Sequence, residues 1–206
     1  MKSTRTWIWI FLFGSLWGLN EVVTGEILFK DQVVAAAVWL AALAFFILGV
    51  ARGIMNKPGT SAAIGGIAAL FKGLNAPPFY CHLLAIVLLG VGFDLAATWL
   101  IKKERSKLLR QTMTGMVGAY GGFVLFALII TYIIRYEYWV ADGGAKFINY
   151  ILVDASLAAA VSAILVPLGY KLGPLGWAVL ERHPRWSSVG AMAGLVLLWT
   201  LGRVAG

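Results

Sequence analysis

The sequence predicts an all-α fold, a polytopic transmembrane helix bundle forming one integral membrane domain over residues 1–206, with about seven spans and the N-terminus inside. Three observations predict it. Hydrophobic residues make up 61% of the chain and charged residues 13%, and the mean hydropathy is +0.85, far from the balance of an ordinary soluble domain. Apolar runs recur along the chain at lengths that suit crossings of about 20 residues. Nine tryptophans and seven tyrosines, many near the ends of those runs (Trp7, Trp99, Tyr132, Trp139, Tyr170), suit the aromatic belts found at headgroup level.

The runs fall at 7–29, 33–51, 60–75, 79–101, 112–134, 147–170 and 186–204. The first follows MKSTRTW, which resembles the charged start of a signal peptide. No small-x-small cleavage site follows and the run meets Asn20 and Glu21, so it reads as an uncleaved first span. The third run is short: about 15 residues reach roughly 23 Å, less than a 30 Å core. Charge decides whether it crosses. With seven spans and the N-terminus inside, twelve Lys and Arg fall inside and four outside, the bias of the positive-inside rule. A re-entrant third run would put the basic stretch KKERSKLLR, residues 102–110, outside and give six spans. Pro167 should kink or end the sixth span, and the stretch 172–185 suits either an interfacial helix or a packed loop.

Small residues spaced by four (Gly14 and Gly18, Ala37 and Ala41, Gly118 and Gly122, Ala155 and Ala159, Gly190 and Gly194) mark places where helices approach closely. Gly14, Trp17, Gly18, Glu21 and Gly25 fall on one stripe of the first span, which points Glu21 into the bundle. Ionisable groups at membrane depth are costly and mark candidate sites. Trp17, Asn20, Glu21, Lys72, Asn75, His82 and Asp154 converge at the outer level and form the expected ligand pocket, whereas Asp94 lies deeper, toward the inside. Lys72 has no acid on its own span, so an ion pair with Glu21, Glu26 or Asp154 across spans is expected, against the plainer reading of a lysine snorkelling to the headgroups. Cys81 and His82 are candidate soft-metal ligands with a carboxylate from Glu21 or Asp154, or else a small buried hydrophobe and a hydrogen-bonded helix end.

Absences narrow the chemistry. The two histidines, His82 and His183, fall on opposite faces, so the chain cannot supply both axial ligands of one haem, and no cofactor is indicated. One cysteine excludes an intrachain disulfide framework. HExxH, GxSxG and GxxxxGK[ST] are all missing, so zinc protease, serine hydrolase and self-contained nucleotide-driven pump have no support. The net charge of +8 follows from topology and does not call for nucleic acid.

A small apolar bundle with an outer polar cluster, small-residue stripes such as Ala37 and Ala41, and a basic inner surface resembles the substrate-binding components of energy-coupling-factor importers. That resemblance implies a prokaryotic-type plasma (inner) membrane, capture of a micronutrient or metal from outside, and a separate coupling subunit with two ATPases. Ala37 and Ala41 would then be the contact offered to the coupling subunit. The sequence departs from the family in its seven spans and in the lack of histidine in MKSTRTW.

Taken together, the residues point to a solute-binding or transport protein with the lipid bilayer and a small-molecule or ion ligand as partners. The alternative is a non-catalytic membrane subunit that docks a partner complex through Lys102, Lys103, Arg105 and Lys107. An intramembrane enzyme using Cys81 or His82 lacks an assignable third group.

Overall fold

The computed structural model describes residues 3–77, 79–101, 107–141, 144–181 and 184–206. They fold into a helical bundle: α1 (Ser3–Lys30), α2 (Ala36–Ile54), α3 (Thr60–Asn75), α4 (Tyr80–Leu100), α5 (Leu108–Leu128), the short α6 (Glu137–Val140) and α7 (Ala145–Asn149), then α8 (Ala155–Glu181) and α9 (Pro184–Ala205). A π-helical turn, Ile129–Ile133, continues α5, and a second, Tyr150–Asp154, joins α7 to α8. Six of these segments are long and apolar enough to cross a membrane: those within α1, α2, α4 and α9, the α5 segment with its π-turn, and the continuous stretch Ala145–Ala178.

The short α3, with 16 residues, is not among them. It lies between α1 and α4, and its contacts give its direction. A Cβ on Gly14 or Gly18 would come within 2.5 Å of Ile67 or Phe71, so α3 runs parallel to α1. Ser61 meets Asp94 and Gly65 meets Gly90, so it runs antiparallel to α4. It therefore passes from one end of the bundle to the other rather than turning back. At about 1.5 Å per residue it spans roughly 24 Å. Burial against its neighbours accommodates that shortness: Ile64, Ala68 and Phe71 are fully enclosed.

Glycines set the closest seams, because lipid gives apolar helices no reason to associate beyond packing. On the α4–α5 seam, a Cβ on Gly92 would lie 2.6 Å from the Gly122 amide nitrogen. On the parallel α2–α8 seam, a Cβ on Gly169 would lie 2.7 Å from the Phe46 carbonyl. This seam explains a correction to the sequence reading: α8 runs through both Pro167 and Pro174 to Glu181 without ending. Gly169 and Gly173 press that part of α8 onto α2, and the tertiary contact holds a helix that proline alone would break. Among the described residues the stripe on α9 does not form such a seam, since a Cβ on Gly190 would meet nothing within 4 Å and one on Gly194 only the tip of Leu12.

The core is a layer of large side chains, with Trp17, Phe45, Phe71, Phe93 and Phe123 fully buried. A smaller apolar cluster of Phe126, Ile130 and Trp139 lies against Cys81 and Tyr150 at the far end of α5. Lipid-facing positions are apolar as well, including Leu70, Leu95, Trp99, Ile164 and Val196. The protein is a multi-pass helical membrane bundle, and the lipid bilayer is its solvent.

Candidate functional site

Two ion pairs are buried among the described residues, one toward each end of the bundle. Arg52, in the last turn of α2, reaches Asp94 on α4 at 2.8 Å. Its Nε donates to Ser61 Oγ at 3.0 Å, and its Nη2 also reaches Thr98 Oγ1 at 3.1 Å. Asp94 in turn accepts from the backbone amides of Gly59 at 2.8 Å and Ser61 at 2.9 Å, with Ala62 more distant at 3.4 Å. Those are the amides that a helix start leaves without intrahelical partners. A carboxylate from α4 thus caps α3, and its charge is met by α2. Almost every polar atom here has a partner, which makes it a structural knot joining three helices.

The second pair differs. Lys72 Nζ, on the last turn of α3, lies 3.1 Å from Glu21 Oε2 on α1. The other carboxylate oxygen, Oε1, accepts from the indole Nε1 of Trp17 at 3.2 Å, one helical turn back. Gly25 lies beside the lysine, where a Cβ would sit in ordinary contact 3.6 Å from Nζ. This is the cross-span pair expected for Lys72, and its carboxylate is Glu21. Both side chains are at least nine-tenths buried. Among the described residues Lys72 Nζ bonds only to Glu21, which leaves donor capacity unused in a low-dielectric setting.

A cavity of about 60 Å³ adjoins this pair, bounded by Glu21, Leu40, His82, Ile86, Phe123 and Tyr150. Its polar groups are the carboxylate, the imidazole and the phenol, and the rest of its wall is apolar. Tyr150 stacks on Phe123 at 4.9 Å between ring centres and meets Trp139 edge-on at 4.9 Å, so it is held between the cavity and the smaller apolar cluster.

Of the expected pocket residues, Trp17, Glu21 and Lys72 assemble directly and His82 shares the cavity. The other three lie elsewhere. Asn75 donates to the Phe71 carbonyl at 2.7 Å and packs where α9 crosses at Gly202. Asn20 accepts from Thr24 on its own helix. Asp154 is half-buried in the second π-turn and does not border the cavity. Depth along the span places Asp154 at this level but does not fix the face it takes, and within the same π-turn it is Tyr150, which the sequence reading missed, that borders the cavity.

Three further sets of residues lie apart from this pair or outside the described residues. Ala37 and Ala41 both border the cavity, Ala37 half-buried and Ala41 buried in the core. Cys81 lies against the Phe126 cluster while its neighbour His82 turns to the cavity, as consecutive helical residues must. No group of three His, Cys, Asp or Glu that could hold a metal ion is found among the described residues. Lys102, Lys103 and Arg105 lie outside the described residues, and Lys107 is exposed just before α5.

Comparison with protein-family models, curated proteins and solved structures finds no match.

Proposed function

We propose that the protein binds, and by moving its helices transports, a small polar solute or ion at the Glu21–Lys72 pair. The observation that carries this reading is the pair itself: two opposite charges on different helices, deep in an apolar bundle and under-coordinated, beside a cavity with an imidazole and a phenol. Structural ion pairs in lipid are expected to be saturated, as Arg52 and Asp94 are, whereas a binding pair keeps donors for its ligand. The cavity of about 60 Å³ has room for a few waters. The solute is therefore ion-sized, or a larger polar solute enters a more open arrangement of α1, α2 and α4. A capture component of an importer in a prokaryotic plasma membrane, driven by a separate coupling subunit and ATPases, fits this reading, because the sequence offers no nucleotide-binding motif.

The test is thermal stabilisation of purified protein by a panel of inorganic ions and water-soluble micronutrients. A true ligand at 100 times its Kd should add about 2.7 kcal/mol of stability. Glu21→Gln and Lys72→Met should each remove that gain. Full stabilisation retained in both variants would overturn the assignment.

A further inference from the structure

At the opposite end of the bundle from Lys72, a cleft of about 540 Å³ opens between the first turns of α1 and α3. Thr6, Trp7 and Ile10 form one wall, and Lys57, Gly59 and Ala63 lie on the other. Four features of this cleft belong together. Lys57 is exposed and forms no ion pair with a carboxylate among the described residues. Thr6 is only 8% exposed, yet its enclosed hydroxyl has no hydrogen-bond partner among the described residues, an unfavourable state that an acceptor in the cleft would relieve once the side chain rotates toward it. Trp7 is 52% exposed, an indole of the kind that settles at the headgroup boundary. Ile10 and Ala63 continue the cleft as apolar surface along the two helices.

The amides of the first turn of α3 are not what the cleft offers, because Gly59, Ser61 and Ala62 already donate to Asp94. Nor does Asp94 present an open negative charge, since Arg52 holds it at 2.8 Å. What remains is one ammonium, one unsatisfied hydroxyl and an apolar floor, at the end of the bundle where the sequence concentrates Lys and Arg.

We propose that this cleft binds the phosphodiester of an anionic phospholipid. Lys57 and the Thr6 hydroxyl donate to the phosphate oxygens, Trp7 lies at the level of the glycerol, and an acyl chain follows Ile10 and Ala63 between α1 and α3. A free phosphate would use the two donors but leave the apolar walls unfilled. A zwitterionic lipid would bring its own ammonium against Lys57.

Native mass spectrometry, with thermal shift in nanodiscs, separates these sources. At equal mole fraction, phosphatidylglycerol should be retained and should raise the melting temperature where phosphatidylcholine does neither. Lys57→Gln should weaken phosphatidylglycerol retention by about fivefold, the value of one basic residue near an anionic surface. Thr6→Val, nearly isosteric, should weaken it further while the melting temperature in phosphatidylcholine holds or rises, because the variant removes an unsatisfied buried hydroxyl. Lys107→Gln, which removes another exposed lysine from the same end of the bundle, should leave retention intact. Equal retention of the two lipids, an unaffected Lys57→Gln variant, or an equal loss in Lys107→Gln would each overturn the site. Displacement of the lipid by millimolar inorganic phosphate, with the same thermal shift, would assign the cleft to free phosphate and overturn the lipid.

Discussion

The two buried ion pairs have the same charges and similar burial, yet their surroundings are opposite. Arg52 and Asp94 are joined by Ser61, Thr98 and the opening amides of α3, so the knot is closed to any further partner. Among the described residues Lys72 and Glu21 are joined only by Trp17, and Glu21 borders a cavity. Desolvating two charges is costly wherever it happens, and the compensation is complete in one place and partial in the other. The difference separates a charge that builds the fold from a charge held ready for something else.

The comparison can be broken most directly at Asp94. Asp94→Ala strands the Arg52 guanidinium and uncaps α3, and should cost about 3–5 kcal/mol, the usual penalty for leaving half of a buried pair. Unfolding in mixed detergent and SDS micelles measures it, and a loss under about 1 kcal/mol would make the knot dispensable. A smaller effect is expected at the seam that brings Lys72 to Glu21. Gly18→Leu would drive a side chain into Phe71, whose Cβ lies 2.5 Å from the site of the new Cβ, and should cost about 1–3 kcal/mol by overpacking. Gly190→Ala, with no neighbour within 4 Å, is the control and should stay within about 0.5 kcal/mol in the same assay. The smallest change is expected where the comparison is sharpest. Replacing both members of the outer pair, Glu21→Gln with Lys72→Met, removes both desolvation costs together and should leave stability within about 1 kcal/mol of the parent or raise it. A large loss in that double variant would show that the outer pair is as structural as the inner one.

Much of this was legible from the sequence, and the parts that were not have specific causes. The apolar runs locate every long helix, because lipid demands a continuous apolar stretch and leaves little freedom in where it lies. The stripe of Gly14, Trp17, Gly18, Glu21 and Gly25 places Glu21 inward, since α1 holds α-helical register through that segment. Arg52 was another matter. At the end of an apolar run it reads as a topological anchor, and its pairing depends on α2 and α4 meeting at one end, which spacing along the chain does not reveal. The order of helices in space is equally hidden: α2 packs along α8, and α1 along α3 and α9. Asp154 was placed by its depth along the span, which does not fix the face it takes, and Tyr150 was not singled out, because no residue in YILVD announces the π-turn that carries both.

The capping of α3 by Asp94 also has a consequence for biogenesis. The residue that completes the start of α3 is synthesised 35 positions after Gly59, whose amide it accepts, and lies on the following helix. Until α4 has emerged, α3 is a short segment with open amides at one end and Lys72 near the other, poorly suited to partition into lipid by itself. The two helices are best inserted together as a hairpin, with the Asp94 contact serving as the latch that registers them. An arrest of translation between them should leave α3 outside the bilayer, open to glycosylation or thiol labelling at sites engineered along its length.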